Sequence, residues 1–362
     1  MRESPAFQKM KDEGTLSKAL LGEAFVQWKN GKIALLALLG VVVGQAVVWY
    51  TGQFYTLFYL QTILRVDQFT ANVLLAWSLA VGTFSFFFFG WLADKISRKP
   101  IILGGCLIAV SMFFPLFEQL TKVANPALHA AQQNTKIVVT ADPNQCSFQF
   151  NPTNIAKFTN SCDVTKSTLA PSSAMHSTEK GAPGSLTKVR IGETEIQSFD
   201  VAKLTGDEVK AVPAAFTKSI NDALQKAGYP GSTNTSIVKI PIEPKEGLSN
   251  LIKVFDVFSA QKLTLIAILT TLVLCVTAVY GPIAAALVEF FSTRIRYSGL
   301  SLPYYIGNGW FGGLLLATAF SMVAATGDIY FGLWYPRIIA LMTVVIAFFF
   351  VPETHKRDIF KN

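Results

Sequence analysis

Six long apolar blocks, at 33–59, 71–93, 101–120, 263–287, 299–325 and 335–351, decide what this chain can fold into. A helix needs about 20 apolar residues to cross the roughly 30 Å hydrocarbon core of a bilayer. Each block meets or approaches that length, and none carries a charge at its centre. Buried core helices of a soluble protein are the competing reading, but those are rarely apolar all round over such a length. The blocks therefore predict an all-α membrane protein with six transmembrane helices, and the lipid bilayer as its first partner. Composition agrees: 51% of residues are hydrophobic and 15% charged, against about 25% charged in soluble domains. That balance excludes a disordered chain and argues against an ordinary soluble enzyme. The net charge of +8 fits basic membrane flanks, so no nucleic-acid partner is expected.

The blocks divide the chain into a polar N-terminal segment (1–32), three helices (33–120), a polar insert (121–260), three more helices (261–351) and a tail (352–362). Basic residues cluster before the first helix (Lys29, Lys32), between the second and third (Lys95, Arg98, Lys99), between the fourth and fifth (Arg294, Arg296) and after the sixth (Lys356, Arg357). If the helices alternate, these all share one side, and the opposite short loops hold little more than Arg65. The positive-inside rule then places both termini in the cytoplasm of a cell inner (plasma) membrane and the insert outside it. Residues 1–32 are polar and of mixed charge, unlike a signal peptide.

Proline and glycine punctuate the blocks. Pro100, Pro303 and Pro336 are expected near helix starts, and Pro282, after Gly281, should kink the fourth helix. Gly40–Gly44 and Gly309–Gly313 have the spacing that lets helices approach closely, as Gly90 should. The run Phe86 to Phe89 reads as a lipid-facing or packing surface.

The insert has the composition of a small α+β domain. Strands are expected at 136–141, 146–150, 188–196 and 236–240, and a loop at 170–185. An amphipathic helix is expected at 213–227, with Phe216, Ile220 and Leu224 on one face. Cys146 and Cys162 lie in the insert, where a disulfide is plausible on the oxidising side; two separate thiols are the alternative. No CxxC pattern is present and His129 and His176 stand apart, so no metal or other cofactor is expected.

The loop Gly90-Trp91-Leu92-Ala93-Asp94-Lys95-Ile96-Ser97-Arg98-Lys99-Pro100 resembles the signature loop of the major facilitator superfamily, with Ser97 where the pattern usually has Gly. The run from Glu289 to Gly299, containing Arg294 and Arg296, is similar to the segment after that family's tenth helix, with Ser292 replacing its usual Pro. Pro352-Glu353-Thr354 is similar to a sugar-porter-like ending, and Glu3-Ser4-Pro5-Ala6-Phe7 to the end of the central loop between the halves. The run from Gly44 to Tyr55 is similar to the seventh helix of the metabolite:proton symporter branch, which includes proline/betaine and dicarboxylate transporters. The resemblance covers the chain except its insert.

The family has twelve helices in two halves, so the resemblance implies one half of the fold, the C-terminal half, and a secondary transporter of small organic solutes by proton symport. It implies a cytoplasmic gating motif at Gly90, Asp94, Arg98, Lys99, Glu289, Arg294 and Arg296. A lone half has one wall of a midplane site, so the chain alone is not expected to transport. An N-terminal six-helix half would be its partner, with the solute and a proton bound when the two are paired. Gln45, Trp49 and Gln53, spaced by four, form a stripe of the first helix that could line this path, with Tyr50, Tyr280 and Asn308 beside it. Interfacial aromatics and packing polars are the alternative. No carboxylate sits in mid-helix, so a titratable coupling group would belong to the other half. The second functional class is a membrane-anchored binding protein in which the insert does the work. No nucleophile elbow, phosphate loop or metal-ligand spacing points to an enzyme.

Overall fold

The computed structural model describes residues 22–147, 157–231, 234–242, 252–292 and 295–353, together with Gln8. Arg294, most of the N-terminal segment and the tail from Thr354 lie outside the described residues. In chain order the helices are α1 (Trp28–Ile63), α2 (Gln68–Ile96) and α3 (Arg98–Ala124), then in the insert α4 (Pro126–Asn134), α5 (Ser161–Leu169) and α6 (Glu208–Lys226), then α7 (Ala260–Phe290), α8 (Arg296–Thr326) and α9 (Phe331–Phe350). Six of them, α1–α3 and α7–α9, are long and apolar enough to cross a membrane. With a small sheet-bearing insert between the two triplets, this layout is consistent with half a major facilitator fold.

The first five apolar blocks each lie within a longer helix, and the sixth lies in α9 except for Val351, because a helix closes its own backbone hydrogen bonds and can run on through polar flanks. Side chains fix the starts: Asp67 accepts from the Thr70 N–H at 2.9 Å, and Ser259 from the Lys262 N–H at 3.3 Å. α7 stops at Tyr280 and resumes at Ile283, because Pro282 supplies no N–H. Pro303 lies eight residues into α8 rather than at its start, and Pro115 sits inside α3.

α1 is the central helix. Its apolar window is 61% buried, against 22% for α8 and 28% for α2 and α9. Three underwound π turns, Leu38–Val42, Thr51–Tyr55 and Tyr59–Ile63, interrupt it. Small residues let its neighbours close in. A Cβ on Gly40 would stand 2.6 Å from Val351, one on Gly44 2.6 Å from Thr343, and one on Gly52 2.7 Å from Val276. The Gly309–Gly313 pair does not act this way, since Gly309 faces open space and Gly313 meets only its own helix. A π turn over Gly307–Gly312 shifts the register, so Gly307 and Gly312 take the close contacts, with Val42 and Tyr50. Gly90 also has nothing within 4 Å, so close packing is not what it provides. Phe87 and Phe88 are exposed on α2, as a lipid-facing surface requires.

The insert's sheet has the order β2-β1-β3-β4, with β1 (Ile137–Ala141), β2 (Ser177–Lys180), β3 (Lys188–Ile191) and β4 (Thr194–Gln197). β1 pairs parallel with β2 and antiparallel with β3. α6 begins at Glu208, ahead of its expected start, and buries Phe216, Ile220 and Leu224.

Four expectations are corrected. The 188–196 stretch is a hairpin, because Gly192 turns the chain at φ 57°. The 170–185 segment contains β2, whose four exposed residues give no alternating pattern. Cys146 and Ser147 are not in a strand, and 148–150 lie outside the described residues. The 236–240 stretch pairs with no strand; Val238 donates its N–H to Ala124 O at 2.9 Å and Ile240 to Thr70 Oγ1 at 2.8 Å, at the ends of α3 and α2. The insert core and much of the bundle belong to one continuous hydrophobic cluster.

Candidate functional site

Near the middle of α1 its aromatic residues meet Tyr280 of α7, which in turn touches aromatic residues of α2 and α8. The Trp49 ring stacks on Tyr280 of α7, with centroids 6.1 Å apart and planes 23° apart. It stands edge-on to Tyr50 at 5.0 Å and to Phe54 at 5.4 Å. Tyr280 meets Phe86 of α2 edge-on at 6.1 Å, and its hydroxyl lies 3.3 Å from the Tyr304 hydroxyl of α8. Tyr50 packs over Gly312, where no side chain would fit. Trp49, Tyr50, Tyr280 and Tyr304 are all half-buried.

Local backbone breaks position these rings. Tyr280 is the last residue before the Gly281–Pro282 interruption, and Tyr304 follows Pro303. Phe54 lies in the Thr51–Tyr55 π turn, and π turns recur where side chains are re-aimed at functional sites. The wall carries no formal charge. Ring faces attract cations, and phenol hydroxyls both donate and accept, so the surface suits a solute with an onium group and polar edges.

Of the residues expected on the path, Trp49, Tyr50 and Tyr280 are together. Gln53 is half-buried one turn beyond Trp49. The Asn308 side chain donates to Tyr304 O at 2.9 Å, at the edge of the wall. Gln45 is elsewhere: it is fully buried, and neither atom of its amide has a hydrogen-bond partner. Thr343 of α9 packs on Gly44, so the helices close over α1 below Trp49. Phe54 and Tyr304 join the wall without having been singled out in the sequence, and Phe86, read there as part of a lipid-facing or packing run, packs on Tyr280. A cluster drawn from four helices leaves no spacing signal.

A second cluster occupies the end of the bundle away from the insert. Arg98 Nη2 lies 3.2 Å from Asp94 Oδ1 and 3.2 Å from Glu289 Oε1, joining the α2–α3 turn to the end of α7. The Arg98 and Glu289 side chains are only 14% and 13% exposed, whereas Asp94 is 74% exposed. Lys99 donates to Val351 O at 2.7 Å, capping the end of α9, and Arg296 Nε donates to Phe291 O at 3.2 Å. Ser97 forms the turn at φ 120°. Arg294 lies outside the described residues.

In the insert, Cys146 and Cys162 form a disulfide with Cα atoms 5.2 Å apart. Among the described residues no group of His, Cys, Asp and Glu side chains is placed to hold a metal.

No curated protein and no solved structure gives a significant match to this chain. The sugar (and other) transporter family matches residues 2–141, which take in α1–α3, the Gly90–Pro100 loop and β1. Over that stretch the chain is similar to sugar (and other) transporters, and with its six apolar helices it is a transporter-like, multi-pass membrane protein.

Proposed function

We propose that this chain is the C-terminal half of a secondary active transporter for small organic solutes of the betaine, proline or organic-acid kind. The aromatic wall is its share of the solute path. One observation carries this reading: Trp49, Tyr280 and Tyr304, from three helices, meet where α7 is interrupted and α8 has just passed Pro303. Rings and hydroxyls on such a wall would hold an onium group by cation–π contact and its polar end by hydrogen bonds. Discontinuous helices are where transporters place their binding groups. The described spans carry carboxylates only towards their ends, at Asp94, Glu118 and Glu289. Proton coupling is therefore assigned to a partner half. The Arg98–Asp94–Glu289 cluster would act as a gate on the cytoplasmic side, with the insert outside the inner membrane.

The test is uptake of radiolabelled betaine and proline into proteoliposomes. The chain alone is expected to be silent, and to become active when reconstituted with a six-helix N-terminal half. Trp49→Leu should lower that uptake at least tenfold, and Trp49→Phe less. Equal uptake by the chain alone, or a Trp49→Leu variant as active as its parent, would overturn the reading.

One feature favours a second reading, in which the insert is the working part. A cleft of about 510 Å³ lies between α6 and the α1–α2 turn, lined by Arg65, Asn221, Gln225, Tyr229 and Asn234 among others. A ligand held there would be lost on substituting Gln225 and kept on substituting Trp49.

A further inference from the structure

The insert is fastened to the bundle by two sets of contacts of different chemistry. The first set reaches α1–α3 and uses groups that do not titrate near neutral pH. Ser173 Oγ donates to Ile63 O at 2.8 Å, and Asn234 Nδ2 to Asn125 Oδ1 at 3.0 Å. The N–H groups of Val238 and Ile240 bond to Ala124 O and Thr70 Oγ1, and Arg65 donates to Pro171 O. The second set reaches the turn between α8 and α9. There Lys166 Nζ donates to Ala325 O at 2.6 Å, and the His176 N–H donates to Gly327 O at 3.1 Å. The His176 ring lies flat against Gly327, where a Cβ would stand 2.4 Å from Nε2.

The ring is poorly placed to accept a proton. His176 is 9% exposed and Lys166 5%. Nδ1 lies 3.1 Å from Ala174 O, and a carbonyl only accepts, so Nδ1 carries the hydrogen. In the neutral ring Nε2 therefore holds a bare lone pair, and it is buried without a hydrogen-bond partner. The adjoining cavity of about 100 Å³ is walled mainly by apolar groups, including Phe320, Val323 and Ile329. A proton on Nε2 would gain no acceptor and would sit beside the Lys166 ammonium. The nearby carboxylates are engaged elsewhere. Asp163, which acts on Lys166, accepts from Ser147 N and Oγ at 2.9 and 2.8 Å, and Asp328 accepts from the Tyr330 N–H at 2.9 Å.

We propose that Lys166 and His176 form a pH-sensitive latch. Neutral His176 holds the α8–α9 turn on the insert, and its protonation releases that turn while the insert stays on α1–α3. Burial, with the Lys166 charge adding to it, holds the imidazole below its ordinary value of 6.5. The docked state thus binds fewer protons than the released state, so docking strengthens as pH rises and is lost as pH falls below the ordinary imidazole value. In that window each pH unit lowers the docking constant up to about tenfold.

Hydrogen exchange read by mass spectrometry on the full chain in lipid nanodiscs tests the latch. The His176 amide, isolated by overlapping peptides, and the 327–331 turn, corrected for intrinsic exchange, should open about tenfold more at pH 5.0 than at pH 7.5. The 188–197 hairpin should not change. His176→Asn keeps a donor for Ala174 O but cannot charge, and should remove the pH dependence. Lys166→Met should open the latch more at pH 7.5, because its bond to Ala325 O is lost, while keeping most of the pH dependence, which burial of the imidazole sets. A wild-type protein with no pH dependence, or a His176→Asn variant with the wild-type slope, overturns the proposal. If His176→Asn also loses protection in the hairpin, His176→Gln, equally unable to charge, decides: a wild-type slope there overturns the latch.

Discussion

Ser97 occupies a backbone conformation that suits glycine, at φ 120°, and its hydroxyl is buried without a hydrogen-bond partner. Both features cost free energy, so Ser97→Gly should stabilise the protein by about 1 kcal/mol. A higher melting temperature in detergent would show it. Its neighbour Arg98 ties two turns together through a carboxylate that is itself nearly buried, so Arg98→Ala should destabilise by about 1–3 kcal/mol. The exposed Asp94 contributes little to that figure, so Asp94→Asn should leave the melting temperature almost unchanged. Asp142 is expected to make the insert itself acid-sensitive. The N–H groups of Gly184 and Asn144, at 2.8 and 3.0 Å, hold its carboxylate below the usual range. A carboxylate so lowered stabilises the insert above the ordinary carboxylate range and is lost as pH falls through the lowered value. Near-UV circular dichroism from pH 6 to 2 should show this acid loss weakened in Asp142→Asn. At the residue scale the sequence was readable where a motif is local. Asp94, Arg98 and Glu289 lie in two recognisable runs and do meet. Gln45 was not readable, because its burial depends on how distant segments pack around α1, as where Thr343, almost 300 residues away, packs on the adjacent Gly44.

Among the elements, the contrast between Gly309 and Gly312 tests how the π turn sets helix contacts. Gly312→Ala should cost about 1–3 kcal/mol by overpacking against Tyr50. Gly309→Ala should be neutral or slightly stabilising, since its surroundings are open. Thermal melts of the two variants separate these outcomes. In the insert, the disulfide spans 16 residues, and its reduction should lower stability by about 3 kcal/mol on a chain-entropy account. A melt with and without reductant checks that figure. Helices of the bundle were legible because lipid demands long apolar runs, and α6 because its apolar face repeats at helical spacing. α5 was not, because its Ser, Thr and Val residues are weak helix formers and tertiary contacts hold it. β2 was not either, since an edge strand exposed along its whole length has no alternation to read.

Taken whole, the molecule is not a bundle with an appended domain. Leu128, Ile137, Val238 and Ile240 of the insert lie in the same hydrophobic cluster as Tyr59, Phe113 and Leu265 of the spans. Residues 121–260 expressed alone should therefore expose apolar surface and bind a hydrophobic dye, while the full chain should not. Part of the aromatic wall was legible, since Trp49, Tyr50 and Tyr280 were expected on the path, but its Phe54, Phe86 and Tyr304 and the whole insert–bundle seam were not, since they come from segments that meet only in three dimensions.

The placement of the 236–240 stretch reaches beyond stability. Its N–H groups bond to α3 and α2, which are synthesised before it, and it precedes the whole of α7 in the chain. A ribosome making this protein would therefore finish three spans, then the insert, and find the insert's docking ground already built. Every insert bond to α1–α3 can form before the fourth span leaves the exit tunnel. The Lys166 and His176 contacts wait for Ala325 and Gly327, which are made only after α7 and most of α8. The same division that separates fixed contacts from releasable ones thus orders the birth of the molecule, and the last joint to be made would be the first to give.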